Sequence, residues 1–328
     1  MQTIKYPMEA HSKYHLLIKI SKQYFEDGAT QQEIADTLRM SRSTVSRLLS
    51  KAHDEGIIQI SIEVPPGVYP DLERSLERRF GLVEAVVIET FNYDSPHGIA
   101  RELGPVAADY LERTIQANDV IGFAWGTTMK AMVDAMQPKT DLGVKVVQMN
   151  GGLTPQMTDV HAISLTRNLA ARLGGECYIL QAPGVVDSPQ TQQTFMADAQ
   201  VRQVFDLASE ANMAFFGIGT IAADTLWGRA GLLSEDVTVG LKSLGAVGDI
   251  MSRYYDSDGV LVNSSLCQRV VGIPIEQLLR INRRIGVAGG KDKFEAILGA
   301  LRGQYLNILI TDHITAQKLV NSCANKSK

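Results

Sequence analysis

The stretch TQQEIADTLRMSRSTVSRLLSK at residues 30–51 restricts the possible folds more than any other part of the chain. Its pattern predicts two short amphipathic helices joined by a tight turn. Thr30 and Glu33 have capping-box spacing, in which each side chain satisfies a free backbone donor of the first turn. Ile34, Ala35 and Leu38 then supply the apolar face. Ser41 is placed to N-cap a second helix whose inward positions are Val45, Leu48, Leu49 and Ala52. Arg42, Ser43, Thr44, Ser46 and Arg47 lie near its N-terminal end, the end from which the second helix of a helix-turn-helix reaches base edges and phosphates. Between Arg39 and His53 there are four cations and no carboxylate. These five residues are therefore candidates for DNA contact, the plainer alternative being a solvated face on an ordinary helical hairpin.

The flanks agree with a small DNA-binding domain over residues 1–65. A helix over 13–25 is predicted to bury Leu16, Leu17, Ile20, Tyr24 and Phe25, and Gly28 can end it in the left-handed conformation. Gly56 stops the recognition helix, and Ile57, Ile58, Ile60, Ile62 and Val64 suggest a short β segment in the position of a wing. The charge is local, which suits a specific DNA contact better than general polyanion binding.

At 328 residues the chain can bury a second, larger core. Its net charge of −4 argues against non-specific coating of nucleic acid. No apolar run approaches the ~20 residues needed to span a bilayer, and the N-terminus carries no apolar signal core. Cys177, Cys267 and Cys323 are widely spaced and the six histidines form no HxH or HExxH cluster. A cytoplasmic protein without metal or cofactor, its thiols reduced, is the expectation.

Pro65, Pro66, Gly67 and Pro70 break the periodicity, so residues 66–82 read as a linker with a charged connecting helix. Over 83–328, apolar strand candidates at 85–88, 120–124, 144–149, 177–180, 213–218 and 306–310 alternate with helical stretches at 99–114, 128–136, 161–173, 190–209, 274–282 and 292–301. This alternation predicts βαβ units in a Rossmann-like α/β domain with a largely parallel sheet. Ligands of such sheets bind at the carboxyl ends of the strands. Four strand ends here carry glycine: Gly126-Thr127-Thr128, Asn150-Gly151-Gly152, Gly217-Ile218-Gly219-Thr220 and Gly289-Gly290-Lys291. Glycine lets backbone N–H groups approach an anion, and a following hydroxyl or lysine adds a donor or a charge. A phosphate-bearing ligand is favoured, although neither the GxxxxGK[ST] nor the GxGxxG pattern is present.

The ordered set QQEIADTLRMSRSTVSRLL, WGTT, VVQMNGG, LQAPG, GAVGDI, AGGKDKFEAI and LITDHITA resembles the SorC family of sugar-responsive transcription regulators over residues 14–320. The resemblance implies an effector domain similar to sugar-phosphate isomerases and deaminases of the glucosamine-phosphate deaminase type, sensing a phosphorylated sugar or polyol without catalysis. It also implies a homo-oligomer, commonly a tetramer, whose complex with paired operator half-sites is released or reshaped by the effector. Carried over position by position, Thr127 and Thr128 would donate to a phosphate or hydroxyl. Asn150, with Gly151 and Gly152, would line the ligand at a position where relatives vary. His161 would face the sugar, Asp249 would accept from hydroxyls, Lys291 would pair with an anionic group, and Arg229 is placed by its distance before GAVGDI.

Each residue also has a plain structural role open to it. The threonines would cap a helix, Asp249 would satisfy loop amides, Lys291 would be a solvated first-turn lysine, and His161 would be satisfied at a helix start. Lys291 at a helix N-terminus opposes the macrodipole, which favours a bound anion. The competing functional class is a sugar-phosphate isomerase or deaminase with an appended helix-turn-helix, in which Asp249 or His161 would serve as general base.

Overall fold

The computed structural model describes residues 8–139, 142–152, 162–222, 228 and 233–322, with side chains from Tyr14 onward. His161 and Arg229 lie outside the described residues. The chain divides into two compact units between Val64 and Pro65.

The first unit consists of α1 (Met8–Phe25), α2 (Gln31–Leu38) and α3 (Arg42–Asp54). Thr30 and Glu33 form the reciprocal capping box, with the Thr30 N–H donating to Glu33 Oε2 at 2.8 Å and the Glu33 N–H to Thr30 Oγ1 at 3.3 Å. Arg39 turns the chain in the left-handed region at φ 53°. Ser41 Oγ then accepts from the Thr44 N–H and starts α3. Ile20, Ile34, Ala35, Val45 and Leu49 form the core of the unit. Phe25, expected in the buried stripe of α1, is the last residue of that helix and is 52% exposed, its ring edge-on to Tyr24 at 4.9 Å. Residues 57–64 form no strand, and Ile60 and Ile62 are 63% and 76% exposed. A strand needs a second run to pair with, and among the described residues this segment has none.

The second unit is built on a seven-stranded sheet of β1 (Glu84–Ile88), β2 (Val120–Phe123), β3 (Lys145–Gln148), β4 (Glu176–Tyr178), β5 (Met213–Gly217), β9 (Arg283–Val287) and β10 (Ile308–Asp312). The strands lie in the order β1-β10-β9-β5-β2-β3-β4, every pairing parallel. Neighbouring residues serve opposite faces: Val146, Phe215 and Ile310 enter one core, and Val147, Phe216 and Leu309 the other. Burial on both faces explains why these strands read as continuous apolar runs and not as alternating ones. Over one face lie α5 (Pro96–Thr114), α6 (Thr127–Ala135) and α7 (Ala162–Arg172). Over the other lie α4 (Pro70–Phe80), α9 (Ala199–Ser209), α11 (Ile275–Leu278), α12 (Phe294–Arg302) and α13 (His313–Ser322).

Several expectations change in detail. The helix expected over 190–209 breaks at Asp198 into α8 (Pro189–Ala197) and α9, because Asp198 takes an extended backbone and caps the second helix. The stretch at 274–282 shortens to the single turn of α11. A second, antiparallel sheet of β6 (Gly219–Thr220), β7 (Ala246–Ile250) and β8 (Arg253–Asp256) follows β5 and encloses its own small core around Leu241 and Tyr254, with α10 (Glu235–Ser243) against β7.

The segment 66–82 belongs to this second unit. Leu76 of α4 is fully buried, and the Arg79 guanidinium donates to the Val320 carbonyl on α13. Because β1 is an edge strand, its outward N–H groups need partners. Glu77 Oε1 accepts from the Ala85 N–H at 3.1 Å and Glu73 Oε1 from the Val87 N–H at 2.9 Å. Burial pushes the Glu73 carboxyl up from its ordinary value, against the pull of that bond.

Replacing Glu73 with Ala leaves a buried N–H without an acceptor, which costs about 1–3 kcal/mol. Glu73→Gln keeps an acceptor without a charge to desolvate. Urea unfolding is expected to show the Ala variant destabilised by that amount and the Gln variant within about 0.5 kcal/mol of wild type.

Candidate functional site

A cavity of about 530 Å³ opens at the carboxyl ends of β2, β3, β5 and β9, bounded also by β7 and by the segment that leads into α5. Three of the four glycine-bearing strand ends contribute glycines to it, and the fourth contributes Asn150 alone.

Thr127 and Thr128 are half-buried on the first turn of α6, at the cavity wall. The N-cap is Gly126, and no side chain caps this helix. The capping role open to the threonines therefore falls away. The Lys130 N–H bonds the Gly126 carbonyl at 2.8 Å. The N–H groups of Thr127 and Thr128, ahead of that bond, have no carbonyl partner within the helix, as at any helix start. A Cβ added at Gly126 or at Gly217 would meet nothing within 4 Å. These glycines border open space, where a ligand can approach the backbone.

Asn150 is buried at the end of β3 and lines the cavity. Gly151 and Gly152 do not line it. A Cβ at Gly151 would stand 2.4 Å from the Pro183 carbonyl oxygen, its N–H donates to the Val271 carbonyl, and the Gly152 N–H donates to the Ala182 carbonyl. Gly151 serves the close passage of two backbones, whereas a Cβ at Gly152 would meet only the Ala162 Cβ at an ordinary 3.4 Å. Trp125 packs nearby, its indole N–H donating to the Gly151 carbonyl at 2.9 Å.

Asp249 sits on β7 opposite Gly219. A Cβ at Gly219 would fall 1.8 Å from Asp249 Oδ1, so the carboxylate itself demands glycine there. Asp249 Oδ2 accepts from the Ser252 N–H at 2.9 Å across the β7–β8 turn. Met251 and Ser252 in that turn both take positive φ, 50° and 64°, a conformation that ordinarily selects Asn or Gly. Burial raises the Asp249 carboxyl to about 6, against the Ser252 N–H bond and the Lys293 ammonium, which both pull it down.

Lys291 starts a 3-10 turn after Gly290, which stands at φ 95°. Its side chain is 63% exposed and pairs with Asp94 at 3.4 Å, on the rim of the cavity. The inner cation is Lys293, two residues on, which is half-buried, donates to the Ile218 carbonyl and acts on Asp249. The expectation of an anion partner right after the paired glycines picked the lysine at the rim. The run Lys291-Asp292-Lys293 already contained the inner one, but only the tight turn shows which of the two reaches inward. Buried Asp312 positions this loop: it accepts from the Gly290 N–H at 2.8 Å and from the Thr315 N–H and hydroxyl at 2.8 and 2.7 Å. In the first unit, Arg42, Ser43, Ser46 and Arg47 are exposed along α3, and Thr44 is half-buried with its hydroxyl on Ser41.

Comparison with known proteins agrees with both units. A sugar-binding domain model matches residues 68–321 and a Crp-like helix-turn-helix domain model matches residues 14–65. The chain belongs to the SorC family of transcriptional regulators. It is 35% identical to the deoxyribonucleoside regulator of Bacillus subtilis over 94% of its own length and 98% of that protein. It is 31% identical to the sorbitol operon regulator of Klebsiella pneumoniae over 95% of its length and all of that protein. The crystal structure of full-length SorC from Klebsiella pneumoniae superposes with a TM-score of 0.72 at 30% identity, covering 93% of this chain and 98% of that one. As in other SorC regulators, an N-terminal helix-turn-helix and a mostly parallel α/β sugar-binding domain form one transcription regulator, which fits the reading as a regulator and not the one as an enzyme with an appended DNA-binding segment.

The Asp249 carboxyl is held neutral to about pH 6 in the fold, whereas its ordinary value is 3.8. Between those values the folded chain binds more protons than the unfolded one, so stability falls as pH rises through that window. The cost of ionised Asp249 is complete above about pH 6 and absent below about pH 4. Asp249→Asn still accepts the Ser252 N–H. It is expected to be about 1–3 kcal/mol more stable than wild type at pH 8 and equal to it at pH 4, by urea unfolding at both values.

Proposed function

We propose that the cavity is an effector site for a phosphorylated sugar or polyol, and that its occupancy controls binding of α3 to an operator with paired half-sites. The observation that carries this reading is the meeting of an uncapped helix start at Thr127 and Thr128 with the Lys293 ammonium and the Asp249 carboxylate around one cavity. Helix N-termini and ammonium groups hold phosphate, and a buried carboxylate accepts from hydroxyls while repelling a second anion. Asn150 would add an amide to the same wall, and Lys291 would assist from the rim. His161 and Arg229 remain candidates on the resemblance alone.

On α3, Arg42, Ser43, Thr44, Ser46 and Arg47 are the proposed contacts to bases and phosphates. Two half-sites call for two recognition helices, and the proposed assembly is a homotetramer acting in the cytoplasm, with no cofactor and no catalysis. In this reading the Asp249 carboxylate, which accepts from the Ser252 N–H and feels the Lys293 ammonium, accepts from ligand hydroxyls.

Two sets of variants test the division of labour by fluorescence anisotropy on labelled operator, titrated with the effector. Arg42→Ala and Arg47→Ala are expected to weaken operator binding by about 1–3 kcal/mol each where the guanidinium reads a base. A phosphate contact would instead lower the salt slope by about 0.9 for each charge removed. Lys293→Ala is expected to leave operator affinity without effector unchanged and to raise the effector midpoint at least tenfold, from loss of a charged hydrogen bond of about 1.5–3 kcal/mol. Lys291→Ala, on a solvated ion pair worth about 0–1 kcal/mol, is expected to shift that midpoint less than about threefold. A wild-type midpoint in Lys293→Ala would remove the phosphate from this cavity.

A further inference from the structure

The segment that follows the recognition helix has the side chains of a strand and no strand to pair with. We infer that residues 58–64 pair antiparallel with the same residues of a second copy of this chain, Ser61 lying on the two-fold axis, and that this ribbon joins two α3 helices. The inference stands apart from the effector reading and rests on the proposed function only in needing more than one copy in the assembly.

The chemistry of the run selects its partner. Ile58, Ile60, Ile62 and Val64 alternate with Gln59, Ser61 and Glu63, which is the period of a half-buried strand. Ile60, Ile62 and Val64 are 63%, 76% and 46% exposed. Among the described residues, no main-chain group of 59–64 is hydrogen-bonded. Free backbone groups flanked by β-branched side chains are a template for another strand. DNA is a poor match for this run. From Ala52 to Glu73 the chain has no Lys or Arg, and Asp54, Glu55 and Glu63 bring carboxylates. A wing laid on phosphates needs cations. A second copy needs none, since a two-fold interface sets one patch against itself.

The sequence also fixes the register. With Ser61 on the axis, Ile60 of one copy stands opposite Ile62 of the other, and Ile58 opposite Val64. Gln59 then faces Glu63, an amide donor against a carboxylate, and no two like charges meet. A shift by one residue sets every apolar side chain against a polar one. Centring on Ile60 would instead place Val64 against Gly56, which is at φ 71° and cannot continue a strand. Centring on Ile62 would place Gln59 against Pro65, which has no N–H to give. Ile58 already packs against the core of the first unit. Val64 of the other copy, opposite Ile58, extends that apolar edge.

The start of the ribbon is tied to α3. The Ala52 carbonyl accepts from the Ile57 and Ile58 N–H groups at 2.9 and 3.2 Å, directly after the helix ends. Along the ribbon the two Ile58 residues stand six positions apart, about 20 Å at roughly 3.4 Å each. The pairing thus sets the spacing of two recognition helices, as paired half-sites require. A two-stranded ribbon alone is marginal in water, so it forms where another contact already holds the copies together.

The test is cysteine cross-linking of the full chain, with wild type alongside to report its own cysteines. Across the axis, the Cα atoms at position 61 lie about 4.5 or 5.5 Å apart, within the range of a disulfide. The two copies of position 63 are about 14 Å apart along the ribbon and cannot be bridged. Under mild oxidation, Ser61→Cys is expected to give a covalent dimer bridged at the substituted position, located by peptide mass spectrometry, in about fivefold or greater yield over Glu63→Cys. Equal yields, or no bridge, in a chain that sediments as a dimer or larger overturn the pairing and leave the assembly standing. A wild-type chain that sediments as a monomer at micromolar concentration removes the assembly and this inference with it. Should Ser61→Cys fail to fold, amide hydrogen exchange of the wild type decides. Alternate amides of 59–63 are expected to be protected without DNA. Exchange at the free-peptide rate throughout, or protection only when operator DNA is added, overturns the inference.

Discussion

A buried carboxylate ties the sugar-binding unit together at its functional end. Asp249 lies where the large parallel sheet, the small antiparallel sheet and the loop after β9 meet, facing Gly219, bonded to the Ser252 N–H and acted on by Lys293. Desolvation makes an ionised group there expensive, and a single backbone bond with a nearby ammonium only partly offsets the cost. The surrounding residues are shaped by it: glycine at 219 because no Cβ fits beside Oδ1, and two left-handed residues, Met251 and Ser252, in the turn that Oδ2 bridges. The same small sheet is fastened to α12 by the Tyr255 hydroxyl, which donates to the Ala296 carbonyl at 2.9 Å, while Gly248 lets the two backbones close. Stability is thus given up at a carboxylate that borders the cavity, where a hydrogen bond from a ligand would offset the cost.

What could be read from sequence follows the range of the interactions involved. The helix-turn-helix was legible because its determinants are local: the Thr30–Glu33 box, the Ser41 cap and the apolar spacing of α2 and α3 all act within four residues. The central strands were legible as apolar runs because both faces are buried. Only the glycine-bearing end of β9 was legible, because the strand opens with Arg283 and Arg284, whose side chains reach the Tyr110 hydroxyl and the Ile281 carbonyl at its beginning. The antiparallel sheet escaped because β6 has two residues and exists only through its pairing with β7. Conversely, the alternating run at 57–64 looks like a strand in isolation, and strand character alone does not supply a partner.

The candidate site was legible to a similar degree. Thr127, Thr128, Asn150, Asp249 and Lys291 all border one cavity, although they come from four separate segments of the chain. The glycines at 151 and 152 were drawn in by analogy with anion loops, whereas the small size of Gly151 is required by the Pro183 and Ala182 backbone and the Gly152 N–H is taken by the Ala182 carbonyl. Glycine in a sequence reports a close approach without saying what approaches, and only the fold separates a ligand from a neighbouring strand. Lys293 shows the same limit from the other side, since its reach to the Ile218 carbonyl depends on the 3-10 turn that Gly290 begins.

Sensing requires more than binding, because a ligand shifts a conformational balance only by its difference in affinity for the two states. Driving such a balance from 1:99 to 99:1 takes about a 10⁴-fold difference, on the order of 5.5 kcal/mol. A single rigid element holding the whole ligand would offer it nearly the same surface in both states. Here the lining is divided among the α6 start, the end of β3, the β5–β6 junction, β7 and the loop after β9. A ligand that touches several of these segments is held best by the arrangement in which they converge, and every hydrogen bond that another arrangement breaks adds to the difference. Asp249 strengthens this dependence, because the carboxylate that would accept from the ligand also holds the strained turn at Met251 and Ser252. A change in its hydrogen bonding alters both binding and the strain of the turn, so the two are linked through one side chain.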